Sequence, residues 1–191
     1  MTSAFDPVLH LLLRAGLAVL FASAAAHKLR DLPAFQVSLA AYELVPGAFV
    51  RILSVLLAAG EAMVAVALLG AGPSPWPPFA AAGLLLVYTS AIAINLLRGR
   101  RDIDCGCAGP RRRQPLGTGL VARNLVLLGA AVASALPATG RGLVWIDFVT
   151  LVSGLAASCL LYQAIDALLA GAVPPRSPLD EQLLSFEVHH G

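Results

Sequence analysis

Apolar residues run along this chain in long, nearly unbroken blocks, unlike the alternating or striped patterns of a water-soluble domain. A spanning helix needs about 20 mostly apolar residues. Five segments meet or approach that length: about Val8 to Ala26, Phe49 to Gly70, Phe79 to Leu97, Leu120 to Leu136 and Leu143 to Leu169. The fourth is the shortest and is expected to lie upright or off-centre. The pattern predicts an all-α membrane protein, a polytopic bundle of four to five transmembrane helices. One bundle over residues 1–172 is expected, with a polar tail over 173–191 that opens with Val173-Pro174-Pro175.

The connections add detail. Leu32, Phe35, Leu39 and Tyr42 recur at helical spacing after the first span, with Asp31 or Leu32 placed to cap and Pro33 in the first turn. They predict a short interfacial helix, and a loop covering the bundle is the plainer alternative. Gly72-Pro73-Ser74-Pro75-Trp76-Pro77-Pro78 is expected to be a stiff, non-helical turn, because prolines fix φ and lack donors. Ala22-Ser23-Ala24 resembles a signal-peptidase site, but no Lys or Arg precedes the apolar run and Arg14 interrupts it. That argues against a cleaved leader.

Composition agrees with a bilayer setting. Of 191 residues, 58% are hydrophobic and 13% charged, about half the charge of an ordinary soluble domain; mean hydropathy is +0.80. Net charge is only +2, so its distribution matters more than its sum. Lys28, Arg30, Arg51 and the arginines at 98, 100, 101, 111, 112 and 113 all fall on one face when five spans alternate. Short basic loops stay cytoplasmic, which puts the amino terminus outside and the 98–117 loop at the cytoplasmic surface of a cell inner membrane. The arginines lack interleaved aromatics, so lipid headgroups rather than nucleic acid are their expected partners.

The candidate chemistry lies in that loop, in Asp104-Cys105-Gly106-Cys107-Ala108-Gly109-Pro110. Two thiols separated by one glycine are placed for disulfide exchange or for gripping a soft metal. A Cys105–Cys107 bond would have to reach a Cα separation of about 5.5 Å with some strain, and strain makes it reducible. Flanking arginines favour the thiolate, while Asp102 and Asp104 oppose it. Four-ligand zinc is disfavoured because a second ligand pair is missing; two thiolates suit Cu(I), which keeps copper handling as an alternative. No metal site is assigned.

Polar residues in spans are costly and rarely idle. His27 and Lys28 end the first span, Asn95 ends the third, and Arg123 and Asn124 open the fourth, all on the cysteine-loop face. Asn95 and Asn124 offer donors and an acceptor to a loop backbone, and Gly106 and Gly109 let that backbone turn tightly. Lys28 is expected to snorkel to water. Glu61 lies mid-span and must be protonated, paired or hydrated, with Arg14, His27 and Lys28 as candidate partners. Asp166 and Gln163 are expected to reach the surface of the fifth span. Cys159 is expected to be a small apolar filler, with a third, resolving thiol as the alternative.

Ala26-His27-Lys28-Leu29, Tyr42-Glu43-Leu44-Val45-Pro46, Glu61, Asn95 with Arg98-Gly99-Arg100, Asp104-Cys105-Gly106-Cys107 with Gly109, and Arg123-Asn124 together resemble the methylamine-utilisation MauE family, itself similar to the DoxX-like membrane proteins. The resemblance covers roughly Leu11 to Ala135. Ala108 departs from it, since the family commonly has Phe there. The resemblance implies a membrane protein linked to maturation of methylamine dehydrogenase, whose small subunit is rich in disulfides, alongside a thioredoxin-like partner. It points to thiol–disulfide relay by Cys105 and Cys107, a possible oxidoreductase activity. A quinone is a chemically suitable electron acceptor, although no quinone site is readable. The competing reading is a non-catalytic membrane scaffold whose cysteines form a structural clasp.

Overall fold

In a computed structural model, the structure describes residues 6–103, 116–138 and 141–171. Six helices follow in order: α1 (Pro7–Arg30), α2 (Leu32–Ala41), α3 (Gly47–Gly70), α4 (Trp76–Leu97), α5 (Thr118–Ala133) and α6 (Trp145–Gly171). α1, α3, α4 and α6 are long and apolar enough to cross a bilayer, and the protein is a multi-pass membrane protein. α5 has 16 residues, about 24 Å of helix.

Length does not decide which helices make the core. Leu17, Ala18 and Phe21 of α1 meet Val64, Ala65 and Leu68 of α3, Ala81 and Leu85 of α4, and Ala131 of α5 in one buried cluster. The short α5 is therefore a full member of a four-helix core. It runs the length of the bundle: its start packs by the α4 end through Leu120 and Ile92, and Ala131 near its other end packs against Leu17, Ala18 and Phe21 of α1. α6 lies outside this core, packed chiefly on α1, where Gly154 receives the Leu12 side chain closely.

Each core helix buries one stripe at three- and four-residue spacing, as an amphipathic helix must. In α1 the stripe runs Arg14, Leu17, Phe21, Ala25, Lys28; in α3, Ser54, Ala58, Glu61, Ala65, Leu68; in α4, Leu85, Thr89, Ile92, Asn95. Arg14, Lys28, Ser54, Glu61, Thr89 and Asn95 lie on these inward stripes, whereas Ser23, Arg51 and Ser90 are exposed.

The segment after α1 is helical, capped by Asp31, whose carboxylate accepts from the Ala34 amide at 3.1 Å. Its predicted face is the packed one: Phe35 and Tyr42 are buried. The stiff proline turn is shorter than expected. Trp76 opens α4, with Pro77 and Pro78 in its first turn, where a missing N–H costs no intrahelical bond. Arg14 lies buried and donates to the carbonyls of Gly72 and Ser74, which fastens this turn to α1 and removes Arg14 from the candidates for Glu61. The tail over 173–191 lies outside the described residues.

Candidate functional site

The cysteine loop leaves α4 through a tight stop. Gly99 has φ +76°, its amide donates to the Leu96 carbonyl at 3.0 Å, and the Arg100 amide donates to the Asn95 carbonyl at 3.0 Å. This is a Schellman turn, with glycine at the left-handed position it favours. The chain returns at Leu116, whose amide is shared between the carbonyls of Arg101 and Ile103, each at 3.1 Å. Ile103 and Leu116 are both buried, in a cluster with Tyr42, Ile92 and Leu120. The two ends of the loop are thus pinned together on the bundle. Cys105, Gly106, Cys107 and Gly109 themselves lie outside the described residues.

Beneath this root sit the two amides expected from the sequence. Asn95 is fully buried; its Nδ2 donates to the Ala91 carbonyl at 3.2 Å, and its buried Oδ1 has no partner. Asn124 is buried as well, and its Oδ1 accepts from Arg123 Nη2 at 3.4 Å. Arg123 is ion-paired with Asp166 of α6 and lies 5.5 Å over the Tyr162 ring. Asp166 therefore does not simply reach the surface. It is the counter-charge that lets Arg123 sit beside Asn124, and it ties α6 to α5 at the loop end.

Lys28 does not snorkel. Its side chain is 2% exposed and ion-paired with Glu61, itself 1% exposed. Two charges taken out of water must find each other, and Lys28 lies on the buried inward stripe of α1. Tyr88 of α4 donates to Glu61 Oε1 at 2.7 Å and lies 3.4 Å from Lys28 Nζ. The ammonium also sits 5.1 Å from the Phe35 ring centre and 4.8 Å from that of Tyr88. Lys28 is thus the partner of Glu61. His27, one position around the helix, is exposed and takes no part in this cluster.

Cys159 is a free, half-buried thiol. It shares the inner face of α6 with Tyr162 and Asp166, three and seven residues on.

Tyr88 and Phe35 are the members of the buried cluster that sequence reasoning passed over. A signal existed: Tyr88 stands two turns before Asn95 on α4, so both face inward, and Phe35 follows Lys28 by seven residues across the Asp31 cap.

Among the described residues no group of three His, Cys, Asp or Glu side chains is arranged to hold a metal ion.

A family model described as "Methylamine utilisation protein MauE" matches residues 6–137. Over 135 residues, 70% of this chain and 73% of the relative, the chain is 42% identical to "Methylamine utilization protein MauE" of Paracoccus denitrificans. It is 37% identical to the protein of that name from Paracoccus versutus over 176 residues, 91% of this chain and 92% of the relative. The one from Methylophilus methylotrophus is 32% identical over 166 residues, 86% and 87% of the two chains. No solved structure matches the chain. The matched region begins with the N-cap of α1 and runs through all four core helices and the cysteine loop. On that extent of likeness, the chain belongs to the MauE family.

Proposed function

We propose that this protein is an inner-membrane component of a thiol–disulfide relay that serves methylamine utilisation, with exported methylamine dehydrogenase as the client and Cys105 and Cys107 as the exchanging pair. The observation that carries the reading is the buried, unpartnered Oδ1 of Asn95 directly below a loop root that is itself fastened. Buried acceptors are seldom left unpaired without a reason, which supports a positioning role for Asn95. Covalent geometry alone keeps the Cα of Cys105 within about 7 Å of that of Ile103. This connection and the fastened loop root support loop-positioning roles for Asn95, Asn124 and Arg123.

In the exchange, a thiolate of a thioredoxin-like partner attacks one sulfur of the Cys105–Cys107 bond, which breaks. The second partner thiol then releases the mixed disulfide. The partner loses two electrons and two protons, and the loop pair gains them; the reverse exchange, or a membrane quinone, re-oxidises the pair. The basic flanks of the loop favour the cytoplasmic surface for it.

The test replaces Cys105 and Cys107 singly by Ser in cells that express the client. One of the two variants is expected to accumulate a thiol-sensitive adduct with a thioredoxin-like protein, identified by mass spectrometry. If neither variant traps a partner and client disulfides form normally in both, the cysteines are not a relay.

A further inference from the structure

The Lys28–Glu61–Tyr88 cluster lies outside the loop chemistry, and its arrangement is lopsided. Glu61 Oε1 collects both donors, from Lys28 and from the Tyr88 hydroxyl at 2.7 Å. Oε2 is equally buried and has no partner. An ionised carboxylate accepts on both oxygens, and intramembrane carboxylates are retained where they do something. A proton on Oε2 would remove the negative charge, but would leave a buried ammonium without its counter-ion. The structure supplies what that state needs: the Phe35 and Tyr88 rings stand 5.1 and 4.8 Å from Lys28 Nζ, inside the range of a cation–π contact.

We propose that Glu61 is an intramembrane proton-binding site, with Oε2 as the atom that takes the proton and the Phe35 and Tyr88 rings compensating Lys28 once the carboxyl is neutral. The proton comes from water as hydronium and returns there. On uptake one O–H bond of hydronium breaks as one forms on Oε2, release reverses both, and the cluster alternates between zero and one net positive charge. Among the described residues, the groups facing Glu61 are Lys28 from α1, Phe35 from α2 and Tyr88 from α4. His27 points away into the exposed face of α1, and the Asp31 carboxylate is engaged with the Ala34 amide.

The experiment uses the full-length protein in phosphatidylcholine nanodiscs and dicyclohexylcarbodiimide, which modifies protonated carboxyls shielded from water, with peptide mass spectrometry as the readout. Glu61 should be labelled. Phe35→Leu should lower the rate about 2- to 30-fold, the equivalent of one cation–π contact. Lys28→Met should raise it, because the neutral acid is then the only form without an unpaired buried charge. A pH-difference infrared spectrum needs no access by a reagent: it should contain a protonated-carboxyl band that Glu61→Gln removes and Glu61→Asp shifts. If wild-type protein shows no such band across the range in which it stays folded, Glu61 is permanently ionised and the proposal falls. Cys105→Ser should leave both readouts unchanged, so a failure here is separate from any failure of the relay.

Discussion

Breaking the Lys28–Glu61 pair from its two sides should cost different amounts. Lys28→Met leaves the Glu61 carboxyl, in a site where both partners are at most 2% exposed, either ionised without its counter-charge or forced to take up a proton. Removing one member of a buried pair typically costs about 3–5 kcal/mol, and Tyr88 alone remains to offset it. Glu61→Gln leaves the ammonium instead, but the ammonium keeps two aromatic faces, and the new amide oxygen still accepts from Lys28 and Tyr88. The loss then approaches that of one charge-assisted hydrogen bond, about 1–3 kcal/mol. The double variant buries no charge and should cost no more than Glu61→Gln alone. The pair should therefore show a coupling of at least about 2 kcal/mol, as expected for residues in direct contact. Equilibrium unfolding in mixed micelles near neutral pH, run as a double-mutant cycle, measures all three. A cost below about 1 kcal/mol for Lys28→Met, or a coupling near zero, would show that the lysine finds water in the native state, contrary to the geometry argued above.

Four further outcomes follow from single contacts. Asn95→Leu removes an unpartnered buried acceptor, so stability should hold or rise, while maleimide labelling of Cys105 should quicken if the amide fixes the loop; unchanged labelling would assign Asn95 a packing role. Gly99→Ala forces a side chain into the left-handed turn below the loop and should cost about 1–2 kcal/mol by the same unfolding assay. Gly154→Ile drives α6 off Leu12, which already lies 3.2 Å from where a Cβ would stand, and should cost about 1–3 kcal/mol as overpacking. At the opposite end, Arg141 holds the Asp6 carboxyl below its ordinary value of 3.8. A depressed folded-state value means that its contribution is complete above that value and is lost as the pH falls through the lower, folded-state one. Arg141→Gln should accordingly speed hydrogen exchange at the Val8 amide, which donates to Asp6 Oδ1 at 2.8 Å, at neutral pH, with the difference vanishing below the carboxylate range.

The apolar blocks were legible because burial in lipid is a property of composition, and composition is read directly. Helix ends were less so. Leu143 was expected to open the last span, yet Asp147 accepts from the Val144 amide at 2.8 Å, and α6 starts at Trp145. Pro77 and Pro78 were read as breakers when their place in a first turn makes them harmless. Lys28 was misread for a more basic reason. Whether a lysine snorkels depends on which way its helix face points, and that is fixed by packing between helices far apart in sequence. Glu61 is 33 residues from Lys28 and Tyr88 is 60, so nothing local could signal the cluster beyond the cost of burying each charge. Asn95 and Asn124 were legible as inward polar positions, but the partners the structure gives them are local, the Ala91 carbonyl for Asn95 and Arg123 for Asn124.

The two polar features are linked through one element. α4 presents Tyr88 to the buried ion pair and Asn95 to the loop root, about 10 Å apart along the helix axis, with Thr89 and Ile92 buried between them on the same stripe. α2 makes the same connection from outside: Phe35 faces Lys28, and Tyr42, two turns later, packs with Ile103 and Leu116 beneath the loop. α2 and α4 thus each join the cluster to the loop root. The Phe35→Leu variant separates the two ideas: it should weaken proton binding at Glu61 while leaving the loop root, anchored by Tyr42 and the Leu116 amide, in place.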